Sequence, residues 1–335
     1  MSPQTLFVPV LYSLLQLAGI VAIGIMAGRF GGWPRDFYRS LSRLIVQVAF
    51  PLYFFARISK VDAAEMTGAF LFPLAAMLII VTALVVSVLV FRFIPGSRQE
   101  KRTYVALSSF GNSGMIPLTI TELLPLSLPL FAEQLAPNLP SMYVGAYILA
   151  ETPILWSIGN FLITGQGRLP KIREIITPPL VGILAGTAAA LSGRNTLFMT
   201  ESQLLFHLVR SLELLGSLTF PLILFILGTQ IGQLQLNRGT IRRLLPGTLL
   251  VSLVRFFLMP GIFVLILKIP GLEERLSFSQ KWILFLEMTT PPATNLSLIA
   301  SKAGMQEDHV SFTILLNYLL YLLVLPLYIV LVFGV

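Results

Sequence analysis

Two stretches of this sequence place prolines and polar residues in the middle of apolar segments. One of them, at 289–295, contains Pro291 and Pro292 and continues with Thr294 and Asn295. Each proline lacks a backbone N–H and clashes with the carbonyl four residues earlier, so a helix should break here. Such a break persists inside a membrane only where protein or a cavity covers the freed backbone groups. These freed groups, with the polar residues beside them, are suited to bind a ligand at mid-depth.

The second stretch contains Gly111, Asn112, Ser113 and Gly114 shortly before Pro117. The proline frees the carbonyl of Ser113, and the two glycines allow the helix to unwind. The amide of Asn112 can both donate and accept hydrogen bonds. A simple proline kink, mended by polar side chains, would explain this stretch alone. The companion break near the other end of the chain favours a binding site.

Two broken helices that cross at mid-depth would bring four helix ends together. The ends that begin after each break present N–H groups and partial positive charge, which suit an anion. The ends before each break present carbonyls, which suit a cation or a donor group of the ligand. Neither break contains an acidic residue. The pattern therefore favours an anionic ligand and predicts neither a metal site nor another cofactor.

Three ionisable residues lie within apolar segments, where charges are costly and usually functional. Arg255 lies near the middle of its segment, Glu151 lies in another, and Glu287 precedes Pro291 by four residues. Arg255 could attract a substrate anion, or it could pair with one of the glutamates as a buried brace, which is the favoured interpretation. Glu287 could also couple transport to protons.

The composition predicts the elements that position these residues. The chain is 56% hydrophobic and 11% charged, whereas soluble domains carry roughly 25% charged residues. It therefore predicts an all-α polytopic membrane protein. The absence of cysteine excludes disulfides and cysteine nucleophiles. Residues 1–5 include no basic residue, so we expect the first apolar segment to be retained rather than cleaved. Ten apolar segments lie at about 6–28, 38–57, 69–93, 103–124, 142–164, 177–192, 207–232, 244–268, 282–301 and 311–333.

The basic residues orient these segments. If the N-terminus is outside, the inside loops hold 15 basic residues and the outside loops hold seven. The positive-inside rule then places both termini outside a plasma (inner) membrane. The net charge of +8 follows the loops, so it indicates topology rather than nucleic-acid binding.

An internal repeat divides the chain into two halves. The sequence Phe-Pro-Leu starts at Phe50 in segment 2 and again at Phe220 in segment 7, with an offset of 170. Five segments per half would force the second half to be inverted, so we predict repeats at 1–164 and 177–335, joined by a cytoplasmic linker at 165–176. Small residues spaced by four, as in segments 1, 6 and 7, predict close helix packing, either within the chain or across a homodimer.

An enzyme is the main alternative class. Gly111 to Gly114 match the G-x-S-G pattern around the nucleophile of rhomboid-type intramembrane serine proteases. That chemistry needs a base within hydrogen-bond reach of the serine. The only histidines, His207 and His309, lie near segment ends, so we expect no enzyme. A receptor or a structural protein would not need two broken helices.

The two break motifs together resemble the auxin efflux carrier family, which includes bacterial permeases, plant PIN carriers and PIN-LIKES proteins. The similarity extends over all ten segments. It implies two inverted five-helix repeats in an NhaA-like or bile-acid-carrier-like fold, with segments 4 and 9 crossing at their prolines. Segments 1, 2, 6 and 7 would form a scaffold, and segments 3–5 and 8–10 a transport domain that moves like an elevator.

The resemblance also implies the site, in which Asn112 meets a substrate carboxylate and Asn295 has the matching place in segment 9. The expected substrate-binding residues are Asn112, Ser113, Gly114, Pro117, Pro291, Pro292, Thr294 and Asn295. The function implied is efflux of a small organic anion, such as an auxin-like or dicarboxylic acid. The spacing around Pro117 is closer to the PIN-LIKES form than to many bacterial relatives, so substrate identity does not transfer. A sodium-coupled symporter of the bile-acid-carrier type is the alternative transporter.

Overall fold

The computed structural model describes residues 3–126, 133–167, 170–233 and 238–333. Over these residues the chain is helical, apart from loops and an isolated antiparallel bridge between Gly111 and Pro292. The longer helices are α1 Pro3–Phe30, α2 Asp36–Ile58, α3 Glu65–Arg92, α4 Arg98–Ser109, α5 Met115–Leu123, α6 Leu139–Thr164, α7 Pro178–Leu191, α8 Leu204–Gly232, α9 Arg238–Leu267, α10 Phe278–Thr289, α11 Asn295–Ala303 and α12 Glu307–Phe333.

Within the described ranges, six helices are long and apolar enough to cross a membrane, namely α2, α3, α6, α8, α9 and α12. The stretch Leu15–Phe30 of α1 and the helix α7 are apolar but shorter. Large apolar side chains on α3, including Leu78, Val81 and Val85, are more than half exposed. An exposed apolar face of this kind is stable against lipid and not against water. The protein is therefore an integral, polytopic helical membrane protein, as predicted.

Two apolar segments are each divided into a pair of short helices at the predicted breaks. Segment 4 consists of α4 and α5, and segment 9 consists of α10 and α11. The backbone becomes extended at Phe110 (φ −108°, ψ 113°) after α4 and at Thr290 (ψ 144°) after α10. The lengths match, because α4 and α10 have 12 residues each and α5 and α11 have nine each.

The two broken segments also begin in the same way. Ser97 caps α4 and Ser277 caps α10, and each serine forms a capping box with the residue three positions later, Glu100 and Gln280 respectively. In both cases the serine side chain accepts a hydrogen bond from that residue's backbone N–H. The two broken segments therefore share the same type of N-terminal cap, and their first and second helices have matching lengths, so each breaks at the same distance from its start.

Glycines bring helices from the two halves of the chain into close contact. A Cβ on Gly24 of α1 would lie 2.2 Å from the carbonyl oxygen of Phe225 in α8, and one on Gly228 would lie 2.1 Å from that of Val21. In the same way α7 packs on α2, where a Cβ on Gly182 would overlap the backbone of Pro51. Only glycine allows such an approach. These small-residue pairs thus pack inside the chain, and a homodimer stays a prediction.

The linker predicted at 165–176 starts where α6 ends, at Gly165, whose φ of 76° is favourable only for glycine. A one-turn helix, Ile172–Ile175, precedes α7. Residues 168 and 169 of this linker lie outside the described residues.

Candidate functional site

The two breaks meet and bind each other through their backbones. The N–H of Asn112 donates to the carbonyl of Pro291, and the N–H of Ala293 donates to the carbonyl of Phe110, each with an N···O distance of 2.9 Å. Gly111 faces Pro292 between these two hydrogen bonds. The unwound strands thus satisfy part of each other's backbone, as a break inside a membrane requires.

Gly111 is required at this crossing because a basic side chain fills the adjacent space. A Cβ at this position would lie 2.1 Å from Nη2 of Arg255 and 2.3 Å from Oγ1 of Thr290. Both distances are far shorter than a van der Waals contact. The absence of a side chain at position 111 therefore makes room for the guanidinium.

Arg255 holds the carbonyl ends of both half-helices. Its side chain is 1% exposed, and its Nε donates to the carbonyl of Thr290 at 2.7 Å, at the end of α10. Nη1 donates to the carbonyl of Ser108 at 3.3 Å, near the end of α4, and Nη2 donates to Oγ1 of Thr290 at 2.9 Å. Carbonyl ends carry partial negative charge, which a guanidinium complements. Arg255 is thus a brace, and its partners are these carbonyls.

The two glutamates lie close to this brace without forming an ion pair with it. Glu151 is 6% exposed, and its Oε1 accepts a hydrogen bond of 2.9 Å from the hydroxyl of Ser113. Glu287 is 1% exposed, and neither of its oxygens has a hydrogen-bond partner of good geometry, although Ser113 lies beside it. The guanidinium nitrogens of Arg255 lie more than 4 Å from the carboxylate oxygens of both Glu151 and Glu287. The three side chains nevertheless interact electrostatically as one group, which we call the central cluster.

A cavity of about 230 Å³ lies next to the crossing. Residues at and beside the two breaks form one part of its wall, namely Gly111, Asn112, Ser113, Gly114, Met115, Ala293, Thr294, Asn295 and Leu298. Residues of α2, α6 and the start of α7 form the rest, namely Val46, Phe50, Ile148, Glu151, Thr152, Leu155, Trp156, Thr177, Pro178 and Pro179. Both α5 and α11 begin at this wall, so their first N–H groups are at the cavity.

Five of the eight predicted binding residues line this cavity, namely Asn112, Ser113, Gly114, Thr294 and Asn295. The other three, Pro117, Pro291 and Pro292, are buried and shape the backbone without lining the cavity. Asn295 is exposed at the start of α11, whereas Asn112 is 8% exposed. The structure therefore brings the predicted polar side chains to one wall.

A smaller cavity of about 80 Å³ lies on another side of Asn112, against α2, α8 and α12. Its wall shares Asn112, Met115 and Thr294 with the larger cavity and adds Tyr318 and other residues of these helices. The side-chain amide of Asn112 donates to the hydroxyl of Tyr318. Tyr318 was not predicted from the sequence. The one feature that could have indicated it is the polar pair Asn317 and Tyr318 inside an apolar segment.

Three π-helical turns surround the site and were also not predicted. They lie at Ile45–Ala49 in α2, Leu155–Gly159 in α6 and Val254–Leu258 in α9. The first two contribute residues to the cavity walls, and the third carries Arg255. Turns of this type are frequent at functional sites because they bulge a side chain out of the regular helix.

The histidines lie away from the crossing. A ring nitrogen of His207 is 2.9 Å from the carbonyl of Glu201 at the start of α8, and His309 packs edge-on against Tyr104 at the start of α12. The Ser113 hydroxyl is hydrogen-bonded to Glu151 and, at 3.4 Å, to the carbonyl of Gly111 rather than to a histidine. In the described part of the chain, no group of three or more His, Cys, Asp and Glu residues is placed to hold a metal.

Fold and site together define an integral membrane protein with two broken helices that cross beside a polar cavity. The chain belongs to the membrane transport protein family, the auxin efflux carriers, whose sequence model matches residues 9–168 and 166–329. Members of this family are transporters. The chain is similar to Protein PIN-LIKES 7 of Arabidopsis thaliana, with 28% identity over 151 residues, or 44% of this chain. It matches 38% of that relative's length. The resemblance drawn from the two break motifs is confirmed.

Proposed function

We propose that this chain is a secondary transporter that carries a small organic anion, such as an auxin-like or dicarboxylic acid, out of the cell. The observation that supports it most is the convergence of two helix starts and two asparagines on one cavity wall. The starts of α5 and α11 carry the partial positive charge of a helix N-terminus, although their first N–H groups also donate to the residues just before each helix. Asn112 and Asn295 add amide donors beside them. A carboxylate is the ligand chemistry that this wall would recognise.

The rest of the cavity suits the organic part of such a ligand. Phe50, Ile148, Leu155 and Trp156 form apolar surface opposite the polar wall. Binding sites for small molecules generally combine apolar walls with a few placed polar groups. The carbonyl ends of the broken helices, which would attract a cation, are already occupied by Arg255.

The proposed mechanism follows from the arrangement of the ten segments as two inverted repeats. The matched lengths and caps of segments 4 and 9 support this arrangement, as does the packing of α1 on α8 and of α7 on α2. In the proposal, α1, α2, α7 and α8 form the scaffold, and the other helices carry the crossing across the membrane as an elevator. The cavity lies beside the start of α7, next to a basic loop, which supports an inward-facing form in the proposed plasma-membrane orientation.

A sodium-coupled symporter of the bile-acid-carrier type is the second candidate. The observation in its favour is Glu287, a buried carboxylate without a hydrogen-bond partner of good geometry. Sodium would need several oxygen ligands around it, and the nearest helix-end carbonyls are bound to Arg255. Uptake that depends on sodium and not on a proton gradient would favour this candidate.

Transport of malonate, malate and indole-3-acetate into proteoliposomes tests the proposal. Wild-type protein should transport at least one of these three probes. Asn112→Ala and Asn295→Ala should each abolish that transport without changing the elution volume. Asn295→Ala should also keep the thermal unfolding midpoint, whereas Asn112→Ala loses hydrogen bonds to Tyr318 and to the Met115 N–H and should lower the midpoint of a protein that still folds. Asn195→Ala is the matched control, because Asn195 caps a short surface helix far along the chain from both breaks. Wild-type rates in both site variants would contradict the placement of the substrate.

A further inference from the structure

The central cluster contains two acidic side chains and one basic side chain. Arg255 carries one permanent positive charge, whereas Glu151 and Glu287 would carry two negative charges if both were ionised. All three side chains are at least nine-tenths buried. A protein interior tolerates ionised groups only when they are paired and hydrogen-bonded. One carboxylate is therefore in excess.

The hydrogen bonds show which of the two carboxyl groups has no partner. The donors of Arg255 are directed at the carbonyls of Thr290 and Ser108, so they do not reach either glutamate. Glu151 has the Ser113 hydroxyl, but both oxygens of Glu287 lack a partner of good geometry at 1% exposure. The other titratable groups that interact with Glu287 are Tyr147 and Tyr321, which are neutral phenols and bring no positive charge.

We propose that Glu151 and Glu287 form a proton site, which holds one exchangeable proton between them. One proton makes the cluster neutral and leaves the other carboxylate ionised beside Arg255. Two carboxylates that cannot both ionise share a proton in this way. A metal cation fits less well, because the guanidinium already occupies the carbonyls that would complete its coordination.

The cavity provides the route by which this proton is exchanged. Glu151 lines the cavity, so a hydronium ion there can transfer its proton to the carboxylate and leave water behind. The Ser113 hydroxyl is bonded to Glu151 and lies beside Glu287, so it can accept a proton from one and donate its own to the other. Glu287 is the inner end of this route because it does not line the cavity.

The proton site bears on transport as well, and this part rests on the proposed function. Glu151 and Glu287 lie on α6 and α10, in the unit that would carry the crossing. An uncompensated buried charge adds to the charge of the bound anion and would oppose that movement, so the loaded unit moves only when the proton is bound. The empty unit returns after it has released both. The proton therefore crosses the membrane together with the organic anion.

Infrared difference spectroscopy of purified protein in lipid films tests the proton site without any substrate. At neutral pH the wild type should show the C=O band of one protonated carboxylic acid per chain, which is lost when the pH is raised. Glu287→Gln and Glu151→Gln should each remove the band, because either change removes the excess charge. Glu213→Gln is the matched control, since Glu213 is paired with basic residues elsewhere, and should keep the band.

Several outcomes would overturn the proton site. A wild type without the band, or a band that persists in both variants, would show that no proton is shared there. A band that disappears when sodium replaces choline at constant pH would assign the site to a metal cation. Equal thermal unfolding midpoints for the variants and the wild type exclude misfolding as the cause of a lost band.

Coupling is tested in proteoliposomes that contain a pH-sensitive dye, with malonate as the probe. Wild type should move protons with malonate, whereas Glu287→Gln should keep malonate exchange and lose the accompanying proton movement. Proton movement equal to wild type in this variant would overturn the coupling. If wild-type protein moves none of the three probes, the proposed function fails, whereas the infrared result still decides the proton site.

Discussion

The central cluster at the crossing differs from a second group of charged residues, which lies near the ends of α2 and α5 and in the first half of α8. This outer cluster consists of Arg57, Lys60, Glu122, Arg210 and Glu213. Its carboxylates are paired at short distances, 2.6 Å from Arg57 to Glu122 and 2.8 Å from Lys60 to Glu213. Three basic residues face two acidic ones there, whereas one faces two in the central cluster. Both carboxylates of the outer cluster form ion pairs, whereas neither carboxyl group of the central cluster does.

This difference in ion pairing indicates different roles for the two clusters. Largely buried charges hold helices together when each carboxylate has a close basic partner, and the outer pairs, with side chains 10–21% exposed, join α2 to α5 and α8. At the crossing, the same residue types bind backbone carbonyls or remain unpaired. Such an arrangement is costly, so it indicates a functional rather than a stabilising role for the two buried glutamates.

The largest expected effect comes from removing the only positive charge of the central cluster. Arg255→Gln leaves the carbonyls of Thr290 and Ser108 without their donors and two glutamates without a nearby cation. We expect a loss of stability of about 3–5 kcal/mol, the usual cost of breaking a buried charged interaction. The matched control is Arg210→Gln in the outer cluster, where Arg210 is 57% exposed and the loss should stay below about 1 kcal/mol. Thermal unfolding in detergent measures both, and equal losses would remove the distinction between the clusters.

The second prediction concerns the space beside the guanidinium. Gly111→Ala places a methyl group 2.1 Å from Arg255 Nη2, so the crossing must shift. We expect a loss of about 1–3 kcal/mol and loss of transport. Gly261→Ala, where a Cβ meets no atom within 4 Å, is the control and should be neutral or slightly stabilising. Normal stability and transport in Gly111→Ala would mean that the close packing at the crossing is unimportant.

A third prediction compares the same substitution in both clusters. Glu213→Gln leaves Lys60 and Arg210 without their partner and should cost about 1.5–3 kcal/mol, since charged hydrogen bonds are lost. Glu287→Gln replaces a carboxyl that has no well-formed hydrogen bond, so the unfolding midpoint should stay equal or rise. A lower midpoint for Glu287→Gln than for Glu213→Gln would reverse the proposed contrast.

A small loss of stability, about 1 kcal/mol, is expected for Glu122→Gln, because the amide oxygen of glutamine can still accept a hydrogen bond from Tyr53 or Arg57. Glu122 lies in α5, one half of the broken segment, and pairs with Arg57 of α2, so the proposed movement must separate them. We therefore expect a faster uptake rate for this variant, although Glu213→Gln, whose pairs stay within α2 and α8, should leave the rate unchanged. Glu201→Gln on the surface serves as the control. An unchanged rate in Glu122→Gln would mean that this pair does not restrain the movement.

The breaks were predictable because their cause is local. Pro291 and Pro292 remove adjacent N–H groups, and the structure interrupts the helix at Thr289, just before them. Pro153, Pro246 and Pro326 show the limit of the rule, since each lies inside a continuous helix. A single proline can be accommodated where a π-helical turn follows, as it does after Pro153. Proline alone therefore does not define a break.

The partners of the ionisable residues were not predictable in the same way. The sequence indicated that Arg255 acts as a brace and suggested the glutamates as its partners. Its actual partners, Thr290 and Ser108, are backbone carbonyls that become available only after two distant breaks meet. The contact of Asn112 with Tyr318 joins residues 206 positions apart. Such contacts depend on tertiary packing, which spacing along the chain does not specify.

The backbone pairing at the crossing has a consequence for the evolution of ligand preference. The two hydrogen bonds between the breaks use main-chain groups only, so no side-chain exchange at Asn112 or Ala293 other than to proline removes them. Positions 112, 294 and 295 can therefore vary while the frame of the site is kept, provided that Gly111 leaves room for Arg255. At the proposed site, a few substitutions would thus change the preferred ligand and leave the backbone that holds the site in place.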